Sequence, residues 1–232
     1  MAPRPVAAAL AAAQPEDAAA QTLTEQAYTL LEEMIVRLEL TPGSAVSEAM
    51  LSARLGIGRT PIREALQRLA RERLVRILPR RGVIVSEIDV KSQLRLLEVR
   101  REIERLMARA AARRSSAHER SQFTSLARAF RRSARARDDV SFLRTDREFN
   151  ELCLLAARNE FAATAMGLMN SLSRRFWFLH FRQAADLPVT ARLHADLAQA
   201  IADGDEALAA AAVDSLLDNI ESFTRNTVST DF

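Results

Sequence analysis

The sequence predicts a mainly α-helical protein in two parts, a small N-terminal head and a longer all-helical bundle. Three observations predict this. Apolar residues recur at helical spacing through three short segments before residue 72. Two β-branched stretches, LVRIL and GVIVSEI, follow at once, split by Pro79-Arg80-Arg81-Gly82. From about residue 91 onward no β-rich segment appears, and helical patterning continues to about residue 226.

The opening MAPRPVAAALAAAQPEDAAAQ is rich in Ala and Pro and loosely mimics an export signal. Its apolar part is short and mostly alanine, so residues 1–22 are expected to be a disordered tail. The first helix is expected over 24–39, capped by Thr24, with Ala27, Leu30, Leu31, Met34 and Leu38 at helical spacing. Thr41-Pro42-Gly43 breaks it. A second helix runs from near Ser47 to Arg54, with Met50, Leu51 and Leu55 turned inward. After the turn Gly56-Ile57-Gly58, Thr60 reads as the N-cap and Pro61 as the first residue of a third helix ending near Glu72. Ile62, Ala65, Leu66 and Leu69 form its apolar stripe; Thr60, Arg63, Gln67 and Arg71 fall on the other side. The hairpin with its basic tip completes the order of a winged helix-turn-helix over 23–90. The bundle, 91–232, is expected to hold helices near 89–113, 116–137, 139–157, 160–184, 188–203 and 205–225.

Charge is uneven. The net charge is +3, yet Ser52–Gly82 holds nine arginines (54, 59, 63, 68, 71, 73, 76, 80 and 81) against Glu64 and Glu72. A basic patch on a nearly neutral chain points to a polyanion partner. Positive charge around the first turn of the third helix opposes the helix dipole unless an outside anion pairs with it. Double-stranded DNA is the expected source of that anion. The helix N-terminus favours a phosphate, and an arginine can grip a guanine edge with two bonds. Arg59, Thr60, Arg63 and Gln67 are the expected readers, with Arg80, Arg81 and Gly82 at the wing. The single cysteine, Cys153, excludes a disulfide framework and fits a reducing cytoplasm. No apolar run approaches the roughly 20 residues of a membrane span.

The segment PGSAVSEAMLSARLGIGRTPIREALQRLARERLVRILPRRGVIV resembles the DNA-binding domain of GntR-type bacterial regulators. LLEVRREIE, DREFN, ARNEF and LHADLAQAIADGD resemble the FCD effector domain of the FadR subgroup. The resemblance implies a homodimeric regulator that binds an inverted-repeat operator and responds to a small metabolite. It makes Arg59, Thr60 and Arg63 base and phosphate readers and places Gly82 in the wing. Family members often carry a basic residue after the glutamate of the second helix. Here Ala49 follows Glu48, so Arg54 is the candidate substitute.

Four bundle helices carry polar residues on apolar stripes: Arg100; Asp146 with Asn150 and Cys153; His194; and Asn219. Buried polar groups need partners, and such residues converging on a bundle centre build ligand sites. Each taken singly is more often a satisfied core residue. His180, within the aromatic-dense RRFWFLHFRQ, is a further candidate donor. In metal-binding FCD domains the corresponding set is one Asp and three His. Here Asn150 and Asn219 stand at two of the His positions, and an amide oxygen is a poor ligand for metals that favour imidazole. No cofactor is therefore assigned. A weak Zn, Ni or Mn site would have to use Asp146, Asn150, His194 and Asn219. The expected effector carries a carboxylate, paired by Arg100 and read otherwise by amides. Two other functions compete. An architectural DNA protein without effector would need these polar groups satisfied among themselves. A helical metal enzyme using Asp146 and His194 leaves the basic segment unexplained and has no nucleophile motif.

Overall fold

The computed structural model describes residues 22–79, 82–184 and 186–227, with the side chains of 181–184 excepted. Residues 1–21 of the expected tail lie outside the described residues, as do Arg80 and Arg81, expected at the wing tip, whereas Thr22 stands at the start of α1. The element order is α1 (Leu23–Val36), β1 (Ala45–Val46), α2 (Glu48–Leu55), α3 (Arg59–Arg71), β2 (Val75–Leu78), β3 (Gly82–Val85), α4 (Val90–Arg114), α5 (Ala117–Ala136), α6 (Asp139–Ala157), α7 (Glu160–Ala184), α8 (Leu187–Asp203) and α9 (Glu206–Thr227).

α1, α2 and α3 pack around Leu31, Ile35, Leu51, Ile62, Leu66 and Leu69, and the sheet closes this core with Val75, Val83 and Val85. The sheet is antiparallel in the order β1-β3-β2, with Leu78 opposite Gly82 and Val46 opposite Val83. Gly82 has φ +88°, and a Cβ there would lie 3.2 Å from the Val46 carbonyl oxygen. Only glycine enters that conformation without strain.

Several local expectations needed correction: α1 ends at Val36, so Leu38 lies beyond it at φ +61°, and Leu30 is exposed. α1 is capped by the Thr22 side chain, which accepts from the Glu25 N–H; Thr24 instead donates to Glu64 at 2.7 Å. Met50 is exposed, because α2 is short and Leu51 fills the core alone on that turn. α3 begins one residue before Thr60, with Gly58 as N-cap and no capping side chain, so Pro61 is its third residue. The first turn of a helix has no intrahelical acceptor for its N–H groups, so proline is tolerated there as well as at the first position.

The second core belongs to the bundle. α5 lies against α8 and α4 against α9, with Phe123, Phe130, Phe142, Phe149, Ile201 and Leu217 at the centre. Its helix ends are set locally. Asp89, Ser116, Asp138 and Asp186 cap α4, α5, α6 and α8, and Ser116 with Glu119 forms a reciprocal capping box.

Candidate nucleic-acid interface and effector cavity

The exposed face of α3 carries Arg59, Thr60, Arg63, Gln67 and Arg71. Its stripe of Ile62, Ala65, Leu66 and Leu69 is fully inside, which fixes the helix rotation and turns the polar residues out. Without a capping side chain or a first-turn acid, the leading N–H groups of α3 are open to an anion. Arg63 is held by a two-bond fork on Glu48, Nε at 2.8 Å and Nη2 at 2.7 Å. That hydrogen bond holds the Glu48 carboxyl below its usual range, with Arg59 adding to the effect. Arg54 faces Glu39 at 3.0 Å from the last turn of α2. Arg68 has a structural role. It covers the Tyr28 ring at 3.5 Å and pairs with Glu25 and Glu72, tying α3 to α1. Burial and the hydrogen bond to Glu72 push the Tyr28 phenol well above its ordinary pKa.

In the bundle, the structure joins some of the expected residues and separates others. His194, on α8, sits among Phe130, Phe142 and Phe149, with ring centroids 5.1, 5.3 and 6.3 Å away. Its Nδ1 is 2.8 Å from the Thr190 carbonyl oxygen, which fixes Nδ1 as donor; Nε2 lies 3.2 Å from Asp146 Oδ1. Thr190 donates its hydroxyl to the Asn219 side-chain oxygen at 3.1 Å, so Asn219 is linked to His194 through one residue. Asn150 instead turns back on its own helix, donating to the Asp146 carbonyl at 2.8 Å. Arg100 also stays on its helix, with Nε 2.6 Å from Glu104. That pair stands beside Cys153, whose thiol is driven up by burial and then by the charges of Glu104 and Asp146. His180 packs on Phe176 at 4.6 Å.

A cavity of about 170 Å³ opens where α7, α8 and α9 meet, walled by Trp177, Asp186, Thr190, Asn219, Phe223 and Asn226. Asn219 is the one expected effector residue on this wall. Asp146 and His194 lie behind it, connected through Thr190 and through the Phe142–Trp177 contact at 5.8 Å. Trp177 belongs to the aromatic-dense stretch, some of whose rings are expected to line the core and pocket; Thr190, Asp186 and Asn226 carry no such mark in the sequence. A signal was present in α9, where Asn219, Ser222, Phe223 and Asn226 repeat at one-turn spacing.

The residues present do not fit a resident metal. Structural and catalytic zinc sites need about three or four protein ligands. Among the described residues no group of three or more His, Cys, Asp or Glu converges, and the Asn150 side chain is turned back onto its own helix. Among the described residues, too, no helix is long and apolar enough to cross a membrane.

Comparison with known proteins agrees with this layout. Residues 23–85 match the bacterial regulatory proteins of the gntR family, and residues 95–219 match the FCD domain. The chain is 27% identical over 187 residues to the HTH-type transcriptional repressor RspR of Escherichia coli, covering 80% of this chain and 82% of that protein. It is 26% identical over 176 residues to the Nta operon transcriptional regulator of Aminobacter aminovorans, covering 75% and 80%. A 48% match to an HTH-type regulator of Streptomyces ambofaciens spans 62 residues, 27% of this chain and 26% of that one. In fold it is similar to E. coli McbR/YncC, with TM-score 0.77 at 16% identity over 90% of this chain and 99% of the other. A putative GntR regulator from Rhodococcus sp. RHA1 gives TM-score 0.66 at 21% identity over 88% and 97%. The chain therefore belongs to the gntR family of bacterial regulatory proteins as an FCD-domain member, a DNA-binding transcription regulator that responds to a ligand.

Proposed function

We propose that this regulator is a cytoplasmic homodimer that represses a metabolic operon. Residues 23–90 form its operator-reading head and 91–232 its sensing and pairing domain. Two heads related by a dyad match an inverted repeat. The observation that carries the reading is the uncapped N-terminus of α3, with Arg59, Thr60, Arg63 and Gln67 on its outer face. The named repressor in E. coli that aligns along most of this chain supports the repressing sense.

The effector enters the α7–α8–α9 cavity and meets Asn219, Thr190 and Trp177. Asp146 and His194 form a second layer that holds the Thr190 turn in place, with Asn150 bonded to the Asp146 carbonyl; His180 packs on Phe176, next to the wall residue Phe223. The cavity, about 170 Å³ and open to the surface, has room for a small molecule. A carboxylate on that effector would have to draw Arg100 from Glu104, which makes Arg100→Ala informative. Unchanged effector affinity in that variant excludes Arg100 from recognition.

The operator reading is tested by selecting duplexes from genomic fragments and comparing their binding with that of random DNA. Arg63→Ala is expected to weaken specific binding by about five- to 150-fold while changing random-DNA binding far less. Equal losses on both would remove Arg63 from base reading. Sedimentation of the free protein and of its complex tests the dimer.

A further inference from the structure

Helix α7 touches both cores. Leu172 packs against the head core, while Met166 and Met169 belong to the bundle core. Between them and the cavity lies Arg175, 3% exposed. Its two terminal nitrogens each donate at 2.9 Å, one to the Ser86 carbonyl and the other to the Glu87 carbonyl. Those carbonyls lie in the segment that leads from β3 to α4, the covalent joint between the two parts. The neighbouring Arg174 reaches Glu32 of α1 at 3.1 Å. The next two residues face the bundle. Phe176 meets Phe223, a cavity wall residue, at 6.5 Å edge-to-face, and Trp177 is itself part of the wall.

A buried guanidinium is costly, and this one is incompletely paired, since Nε has no hydrogen-bond partner among the described residues. Burial lowers its pKa to about 10, opposed by the charge of Glu87. A methionine would fill the same space at lower electrostatic cost. A forked donor is the side chain that can hold two successive carbonyls at once.

We propose that Arg175 is a positioning residue that couples the effector cavity to the DNA-reading head, by fastening the joint carbonyls to the turn of α7 that walls the cavity. This rests on the effector and operator reading above. The fork spans two carbonyls, so a change in the pose of α7 either carries the joint along or breaks both bonds. Cavity occupancy and head pose then shift together. Coupling of this kind is reciprocal: whatever the effector does to DNA binding, DNA must do to the cavity.

Reciprocity allows a test without the effector. Trp177 is the chain's one tryptophan, so its emission reports on the cavity wall alone. The full chain is titrated with a fluorescein-labelled duplex selected from a random pool, and anisotropy measures binding. Acrylamide quenching of Trp177 is measured with and without saturating unlabelled duplex. In the native protein the duplex is expected to change the quenching constant. In Arg175→Met that change is lost although the duplex still binds. Arg175→Lys, which keeps the charge but not the fork, loses most of it, and decides the matter alone if circular dichroism shows the methionine variant unfolded. Native protein that binds duplex with no change at Trp177 overturns the coupling and leaves the operator reading intact. An undiminished change in the variants assigns the coupling elsewhere and overturns the role of Arg175. Failure of the native protein to bind any selected duplex removes the operator reading and this inference with it.

Discussion

Replacing Gly82 by alanine tests whether the wing geometry is set by the backbone. Gly82 has φ +88°, and left-handed backbone costs an ordinary L-residue about 1–2 kcal/mol. The new Cβ would also stand 3.2 Å from the Val46 carbonyl, close enough that β1 must give way by a few tenths of an ångström. Both effects act at the pairs that set the sheet register, Leu78 with Gly82 and Val46 with Val83. A loss of about 1.5 kcal/mol at a urea slope of about 2 kcal/mol/M lowers the unfolding midpoint by about 0.7 M. Gly167→Ala is the matched control. Gly167 lies inside α7 with nothing within 4 Å of its would-be Cβ. Alanine there is expected to stabilise by about 0.5–1 kcal/mol, raising the midpoint. Urea unfolding followed by far-ultraviolet circular dichroism reads both variants. Midpoints that move in the same direction, or no fall for Gly82→Ala, would refute the assignment of strain to residue 82. Operator binding by Gly82→Ala should weaken in parallel with the wing distortion.

Phe130→Ala is expected to cost about 3–5 kcal/mol, because Phe130 is fully buried against Phe142, Phe149 and His194; urea unfolding measures it. Glu119→Gln should destabilise the bundle by about 1 kcal/mol at neutral pH, through loss of the charged capping box and of the ion pair in which Arg158 Nη2 lies 2.9 Å from both carboxylate oxygens. Hydrogen bonding by Arg158, then by the Ser116 backbone, lowers Glu119 to about 2. A depressed carboxyl pKa stabilises the fold fully above its unfolded value near 4.3 and loses that contribution as pH falls towards 2. The native and Glu119→Gln curves of stability against pH should therefore converge below about pH 4. A constant gap down to pH 2 would show that the carboxylate charge is not what the site uses.

The helices were legible because each hides a stripe and announces its ends with a side chain. Ser116 and Glu119, Asp138, and Asp186 before Pro188 all punctuate the chain where the structure does. Features fixed by distant partners were not. β1 is two residues long and exists through pairing with β3, so no local alternation marks it. Thr60-Pro61 reads as a cap and first residue, yet any first-turn position accepts a proline, and hydrogen-bond reasoning alone cannot choose the frame. The cavity was half legible. Asn219 and His194 stood out as polar residues on apolar stripes, whereas Thr190 matters because it joins them, reaching Asn219 29 residues ahead and His194 one turn away. Arg100 stands out in the sequence because it shares a face with Leu96 and Ile103, and its partner Glu104 is legible four residues on at the same helical spacing.

If Arg63 and Arg54 contact DNA as proposed, their paired state bears on affinity. Arg63 does not wait free for DNA; Glu48 already holds it in a planar fork, the geometry a guanine edge offers. Arg54 is likewise held by Glu39. A phosphate or base must displace a carboxylate, so the net gain per contact is smaller than for a free guanidinium. The cost falls on every sequence alike, because Glu48 is lost whichever base pair arrives. The reward depends on sequence, because a base edge of matching geometry repays the fork and a mismatched one leaves the guanidinium with fewer bonds than it had. A cost common to every sequence cancels in the ratio of specific to random-DNA affinity, so Glu48 would lower affinity and leave discrimination to the base contact itself. Arg68, fixed on Tyr28 and shared between Glu25 and Glu72, is removed from the exchange altogether and keeps α3 at a constant angle to α1 while its outer face changes partners.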